Sequence, residues 1–364
     1  MVSSSSNPFI LFGFYLVFYF ALIFVTIPTI YGITDIDVDV NVDLSRQLQV
    51  FPANEFERTQ ISSTMNAPLF VFTSDIDGDG DLDIATCAYY GKTVSWLEND
   101  GNQIFTEHII GTNFIGCRAV YVIDIDQDGD TDIIASASNG DVFWYENDGN
   151  EVFTGHAVPH TSGTGSIYSV VAADVDQDGD IDIVTGAYYS GKRICWYEND
   201  GSEVFTEHIV VVGTPYMTVA VVDMDLDGDM DIVALSNIGN AEWFENDGAQ
   251  VFTRHISSSG LGGGRRMCAI DLDNDGDIDF VVAGSNSLVW LENDGSMGYT
   301  VHPFGEACSN CHSVYVIDVD GDGDMDVISG AYSGGKISWY ENDGSQGFTT
   351  HLVSSALTVY MRPI

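Results

Sequence analysis

Carboxylates on alternate residues are the chain's most distinctive chemistry. The stretch DIDGDGDLDI, Asp75 to Ile84, is the first of six such runs. The acids stand at Asp75, Asp77, Asp79, Asp81 and Asp83; at Asp124, Asp126, Asp128, Asp130 and Asp132; and at Asp174, Asp176, Asp178, Asp180 and Asp182. They recur at Asp223, Asp225, Asp227, Asp229 and Asp231; at Asp271, Asp273, Asp275, Asp277 and Asp279; and at Asp318, Asp320, Asp322, Asp324 and Asp326. Along each run the acids occupy positions one, three, five, seven and nine, and Gly occupies position six: Gly80, Gly129, Gly179, Gly228, Gly276 and Gly323. Like charges ~4 to 5 Å apart, at an effective dielectric of ~20, repel by about 3 to 4 kcal/mol per pair, so each run demands a counter-charge.

A hard divalent cation takes roughly six to eight oxygens at ~2.3 to 2.6 Å, and a loop wraps alternate side chains around it only by turning sharply midway. Gly at position six permits that turn. The pattern predicts about six calcium (Ca2+) sites. Positions one, three, five and nine are expected to ligate through carboxylates, and position seven through its main-chain carbonyl with its side chain facing solvent. A flexible, all-protein, carboxylate-rich cage suits calcium over magnesium, and loops without His or Cys do not suit zinc or copper. The loops are not EF-hands, which need Glu at position twelve; here Thr86, Ala135, Thr185, Ala234, Val282 and Ser329 stand there. Solvated acidic turns, the alternative reading, would have no need of a fixed Gly. Six ions would bring the formal charge from −44 to −32.

The elements that carry these loops repeat with them. The first Asp of each run falls at 75, 124, 174, 223, 271 and 318, a period of 47 to 50 residues. An apolar alternating stretch such as AVYVID leads into each run, and DIIASA or DIVTGA follows. Then come VFWYENDG or ISWYENDG and finally FTEHI. Short β-branched and aromatic runs bounded by Gly, Asn and Asp read as strands, and NDG between two of them is hairpin chemistry. Four antiparallel strands per unit at this period predict an all-β fold, a β-propeller of four-stranded blades; a solenoid is the runner-up. Seven blades are favoured, six complete repeats plus a composite closing blade built from FERTQI (56 to 61), LTVYM (357 to 361) and the acidic stretch between residues 34 and 54. The alternative is a six-bladed ring preceded by an acidic linker over 34 to 54.

Asp75 to Asp83 and its five copies, each followed by WxEND, resemble the FG-GAP/VCBS repeat family, and are similar to the calcium-binding blades of the integrin α-subunit head and of some fungal lectins. The likeness covers about residues 55 to 364. It implies a propeller and calcium, and leaves function open, because the family spans adhesion heads, lectins and propellers attached to enzymes. This chain differs from the integrin pattern in its shortness, in lacking the leg domains and in keeping a calcium loop in every complete unit.

Thirty of the 55 acidic residues lie in the runs. With a sequence pI near 4.1 the chain is not a general nucleic-acid binder, since a phosphate backbone is held by Lys and Arg. Residues 1 to 33 carry no charged side chain and include FILFGFYLVFYFALIFVTI, long enough to cross a bilayer. They read as a cleaved signal peptide or a retained signal anchor, so the rest is expected to be secreted or at the cell surface. Of six cysteines, Cys308 and Cys311 in CSNC are placed to close a small loop; Cys87, Cys117, Cys195 and Cys268 fall at unrelated points of the repeat and read as core thiols.

Strand direction alternates within a blade, so the Asp loop and the ENDG turn share one face. The loops from second to third strand, and from each blade to the next, share the other. Seven of the 11 Lys and Arg lie in or beside that second set: Lys92, Arg118, Lys192, Arg193, Arg265, Arg266 and Lys336. Tyr89, Tyr90, Tyr188, Tyr189, Tyr216 and Tyr332 accompany them. Cations beside aromatics suit a sugar ring, an acidic glycan or an acidic protein segment; wall-packing tyrosines are the plainer reading. Candidate ligand-binding residues are Tyr89, Lys92, Arg118, Tyr188, Tyr189, Lys192, Arg193, Arg265 and Arg266. Six of eight His recur in FTEH and read as packing pieces, leaving His160 and His312. No nucleophile and base pair stands out, so the expectation is a non-catalytic recognition or adhesion module for a glycan or an extracellular protein. The alternative is a carbohydrate-active enzyme of the polysaccharide lyase or sugar dehydratase type on the face opposite the calcium loops.

Overall fold

The computed structural model describes residues 61–62, 65–161, 165–304, 310–332 and 335–354. It contains six four-stranded antiparallel sheets. The first is β1 (Pro68–Ser74), β2 (Asp83–Ala88), β3 (Thr93–Asn99) and β4 (Phe105–Thr112). The second is β5 (Cys117–Ile123), β6 (Asp132–Ala137), β7 (Val142–Asn147) and β8 (Phe153–Ala157). The third is β9 (Ile167–Ala173), β10 (Asp182–Ala187), β11 (Arg193–Asn199) and β12 (Phe205–Val212). The fourth is β13 (Tyr216–Val222), β14 (Asp231–Ser236), β15 (Ala241–Asn246) and β16 (Phe252–Ser258). The fifth is β17 (Gly264–Ile270), β18 (Asp279–Gly284), β19 (Leu288–Asn293) and β20 (Tyr299–Pro303). The sixth is β21 (Cys311–Ile317), β22 (Asp326–Ala331), β23 (Lys336–Asn342) and β24 (Phe348–Ser354).

Strand order within each sheet is sequence order. The first strands pack successively, β1 on β5, β5 on β9, β9 on β13, β13 on β17 and β17 on β21, so they form the inner wall of a propeller. The six blades match the alternative count rather than the favoured seven. Apart from residue 61, the segments expected to build a seventh blade lie outside the described residues, as do residues 1 to 33 and 34 to 54. Among the described residues no helix is long and apolar enough to cross a membrane.

Burial follows strand position. Second strands such as β2 and β6 are buried at every residue, while outer strands such as β8 alternate between half-buried and exposed. That gradient lets DIIASA be small and mostly apolar, as a strand covered on both faces requires, with Asp132 and Ser136 its buried polar residues. Hydrophobic clusters run between blades: Trp96 meets Phe153, Trp196 meets Phe252 and Trp290 meets Phe348, each pair at 6.3 Å between ring centroids. The His of every FTEH-like segment stacks on the Trp of the adjacent strand, from Trp96 on His108 at 4.8 Å to Trp339 on His351 at 4.5 Å. Its Nε2 lies 2.5 to 2.7 Å from a Glu of the same hairpin, as in His208 with Glu198.

One cysteine expectation is overturned. Cys87 and Cys117 form a disulfide across 30 residues of sequence. The end of β2 in one blade adjoins the start of β5 in the next, which brings together two thiols whose repeat positions look unrelated. Cys195 and Cys268 are free thiols within the sheets. Cys311 is disulfide-bonded; Cys308 lies outside the described residues.

Candidate functional site

Each Asp run is the connection from the first to the second strand of its blade, and its geometry repeats. The position-one carboxylate accepts the N–H of the position-six Gly, at 3.0 Å for Asp75 and Gly80 and 3.1 Å for Asp318 and Gly323. Those six glycines have φ between 97° and 104°, a conformation a Cβ would strain. The position-five carboxylate accepts the N–H of position seven at 2.9 Å, as between Asp79 and Asp81. The position-nine carboxylate is fully buried and opens its strand. Asp83 accepts from the N–H of Ile76 at 2.9 Å and of Asn99 at 2.8 Å, and Asp132 repeats this with Ile125 and Asn147. One residue thereby ties the loop to the start of the ENDG turn.

The carboxylates converge. One oxygen each from Asp75, Asp77 and Asp83 lies within 4.8 Å of the others, and the same holds for Asp124, Asp126 and Asp132, for Asp174, Asp176 and Asp182, and for Asp223, Asp225 and Asp231. In the fifth loop the converging set is Asp271, Asp273 and Asp275. Oδ1 of Asp75, Asp174, Asp223 and Asp273 is buried and meets no hydrogen-bond donor, an arrangement that costs free energy unless a cation supplies the missing partner. Burial pushes the position-nine carboxyls up, to about 7 for Asp83, Asp132 and Asp231 and about 6 for Asp182 and Asp279, against the pull of their backbone N–H donors. Hard oxygen donors, mutual repulsion and acceptors without donors fit a divalent cation.

Position seven differs from expectation. Its side chain is half-buried against the Gly of the NDG turn rather than facing solvent: Asp81 lies on Gly101, Asp130 on Gly149 and Asp180 on Gly201, leaving no room there for a Cβ. The same packing holds for Asp229 on Gly248, Asp277 on Gly295 and Asp324 on Gly344. The repeated NDG glycine therefore serves both its positive φ and this contact. The position-five carboxylates, Asp79, Asp128, Asp178, Asp227, Asp275 and Asp322, are exposed.

Loops of adjacent blades are joined. Asn147 of the second blade donates to the carbonyl of Ile76 in the first at 3.2 Å, Asn246 to Val175 at 3.3 Å and Asn342 to Leu272 at 3.4 Å. Gln127 and Gln177 each reach the position-six carbonyl of the following blade, Gly179 and Gly228. A cleft between the first two loops is lined by Asp77, Gly129, Asp130, Asn147 and Glu151.

The opposite face is not repeated. Arg118 lies between two rings, 4.6 Å from the centroid of Tyr89 and 4.4 Å from that of Tyr168. Tyr168 packs on Tyr188 at 5.0 Å, Tyr188 on Tyr189 at 4.4 Å and Tyr89 on Tyr90 at 5.0 Å. A continuous aromatic row with one cation thus spans three blades, with Tyr90 and Tyr189 more than half exposed at 51% and 55%. It unites Tyr89, Arg118, Tyr188 and Tyr189.

The remaining candidates lie elsewhere. Lys92 and Lys192 are exposed turn residues with positive φ, and Lys192 meets the row through its backbone, its N–H donating to the Tyr189 carbonyl at 3.1 Å. Arg193 is buried in β11 beside Cys195 and Tyr197, with Nε and Nη2 lacking partners. Arg265 is half-buried beside His312, and Arg266 is buried with its guanidinium 4.9 Å from the Phe70 centroid. Tyr216, read as a loop aromatic, is buried, its hydroxyl donating to Glu242 at 2.8 Å. Tyr332 stacks on His312 at 5.3 Å, while His160 stands 3.9 Å from Asp141. Tyr168 went unread in the sequence. Aligning the repeats would have found it, because it takes the place in β9 that Arg118 takes in β5.

No curated protein matches the chain in sequence. Among solved structures, an Agrocybe aegerita lectin described as specifically recognising non-reducing terminal N-acetylglucosamine is similar over 85% of this chain and 87% of its own, with TM-score 0.61 and 20% identity. BBS1N, solved in complex with ARL6DN, is similar over 80% of this chain and 83% of its own, with TM-score 0.57 and 14% identity. A functionally unknown protein from Desulfotomaculum acetoxidans follows at TM-score 0.51 and 14% identity, over 75% of this chain and 78% of its own. At these identities the likeness establishes the propeller fold. The model of the FG-GAP-like repeat matches residues 75–135, 132–185, 174–234, 223–282 and 271–329. Loops, turns and blades recur through that whole span, and the chain belongs to the FG-GAP-like repeat family.

Proposed function

We propose that this protein is an exported, calcium-binding β-propeller that recognises glycans without catalysis. Calcium would be held by the position-one, three and nine carboxylates, with position five completing the set, and would supply the positive charge the loops lack. Export is supported by the uncharged apolar residues 1 to 33 and by the Cys87–Cys117 disulfide, which suits an oxidising compartment.

The observation that carries the recognition reading is the row from Tyr90 to Tyr189 across three blades, with Arg118 between two rings. A sugar presents an apolar face with hydroxyls at its edge, and tyrosine offers a matching flat surface with a polar tip. The similar lectin from Agrocybe aegerita, whose description names a terminal sugar, adds support for glycan over protein as the ligand. A glycan array probed with calcium-loaded protein tests this directly. Binding is expected for the unaltered protein and is expected to fall at least tenfold with Tyr188→Ala plus Tyr189→Ala, a loss of about 1.4 kcal/mol or more. Binding indifferent to both changes would remove the row from recognition.

A further inference from the structure

Around the inner wall, the second residue of each first strand is Leu69, Arg118, Tyr168, Met217, Arg265 or His312. These residues stand at the start of the inner strands, on the face opposite the Asp loops. The half contributed by the fifth and sixth blades has a different chemistry from the tyrosine row. Arg265 and Arg266 are consecutive in β17, where the register against β18 shifts between Gly264 and Arg266, so Arg265 is the extra residue of a bulge. Arg265 stands beside His312 of the sixth blade and Arg266 on Thr218 of the fourth. Arg266 reaches Phe70 of β1, in a blade that is not its sequence neighbour, so its guanidinium extends across the inner wall. Thr218 bridges the two at 3.4 Å each, donating its hydroxyl to the Arg265 carbonyl and accepting from Arg266 Nη1.

Neither cation has a counter-ion among the described residues. Arg266 is 6% exposed, and its surroundings are Phe70, Thr218 and the Cys268 thiol. Nε of Arg265 is buried and meets no acceptor. His312, stacked on Tyr332, is held down to about 4 by burial and by the Arg265 charge, so it stands there neutral. The contrast lies one blade away, where Arg254 forks onto the buried Glu242 at 2.7 and 2.9 Å. In a chain with 55 acidic and 11 basic residues, a carboxylate partner for two adjacent arginines would be easy to supply. A buried guanidinium without one is costly unless an external anion completes it.

We propose that Arg265, with His312 as a neutral hydrogen-bonding neighbour, forms an anion socket on this face that takes the carboxylate of an acidic sugar. Planar guanidinium forks match a planar carboxylate. This rests on the reading of this face as the glycan-binding one, and it adds a charge requirement that the tyrosine row alone does not impose.

The test uses the calcium-loaded full chain with glucuronate as probe, glucose as its neutral counterpart and sulfate at matched ionic strength. Glucuronate should raise Tm and shield Arg265 from phenylglyoxal in peptide mapping, while glucose does neither and sulfate does less. Arg265→Gln should weaken glucuronate binding at least tenfold. Should that variant fail to fold, the labelling of unaltered protein still decides. Equal protection by glucose, equal stabilisation by sulfate, or glucuronate binding unchanged by Arg265→Gln would overturn the socket. An array returning only neutral glycans, lost with the Tyr188 and Tyr189 changes but kept with Arg265→Gln, would sink the socket and leave the recognition reading standing.

Discussion

The two faces of this propeller are built on opposite principles. On the Asp-loop face every blade repeats one device: a carboxylate on the Gly N–H, a carboxylate on two backbone N–H groups at the strand start, and an NDG glycine under position seven. On the other face the blades differ: only the first and third share a Tyr-Tyr pair. The first three contribute Tyr89, Arg118, Tyr168, Tyr188 and Tyr189, while the fifth and sixth contribute Arg265, Arg266 and His312. Repetition marks what every blade needs in order to stand beside its neighbour; on the proposed reading, singularity marks what one ligand needs.

The strongest way to break this contrast is to titrate the repeated face. Position-nine carboxyls with pKa raised from the ordinary carboxylate range to about 6 or 7 bind a proton more tightly in the folded chain than in the unfolded one. In chelator, their contribution to stability is therefore full below pH ~4 and is lost as pH rises through ~7. Urea midpoints measured in chelator should fall across that window. In calcium, which favours the ionised carboxylates, the fall should vanish or reverse. Midpoints that are flat with pH in chelator, or identical with and without calcium, would show that the Asp face is not an ion-dependent structural element.

At a single site the effect should be smaller but still large. Asp182 accepts from the N–H of Val175 at 3.0 Å and of Asn199 at 2.8 Å while fully buried. Asp182→Ala strands two buried donors, and bonds to a charged acceptor are worth about 1.5 to 3 kcal/mol each. Destabilisation of about 4 kcal/mol is expected in urea unfolding, with the loss of roughly one calcium per chain in a metal titration. A loss below about 1 kcal/mol would place the role of position nine in the ion alone.

Much of the repeated face was legible in the sequence, and the reason is local. Alternating carboxylates, a Gly at a fixed place and NDG before FTEH each report backbone geometry within one hairpin. The position-seven side chain was not legible, because its seat on the NDG glycine depends on how two connections of one blade fold over each other. The singular face was harder still. Arg265 and Arg266 look equivalent in sequence, yet one is half-buried and the other buried against Phe70, because the strand bulges between Gly264 and Arg266. Arg193 and Tyr216 were read as lying in or beside loops and are the buried first residues of β11 and β13. Blade number depends on how the chain ends pair, which no local pattern encodes.

The disulfide sharpens the contrast, because it belongs to the singular face. Cys117 directly precedes Arg118, and Cys87 lies two residues before Tyr89, so the bond ties the first blade to the second beneath the start of the tyrosine row. Cross-linking a loop of 30 residues restricts the unfolded chain by about 3.6 kcal/mol. Cys87→Ser with Cys117→Ser should therefore lower urea stability by roughly that amount, somewhat less than Asp182→Ala. Its second consequence separates the faces. Calcium stoichiometry should be unchanged, since neither cysteine touches an Asp loop, whereas glycan binding should weaken as the Tyr89 and Arg118 contact loosens. If instead calcium is lost and glycan binding survives, the brace serves the repeated face, and the division between a structural face and a recognising one does not hold.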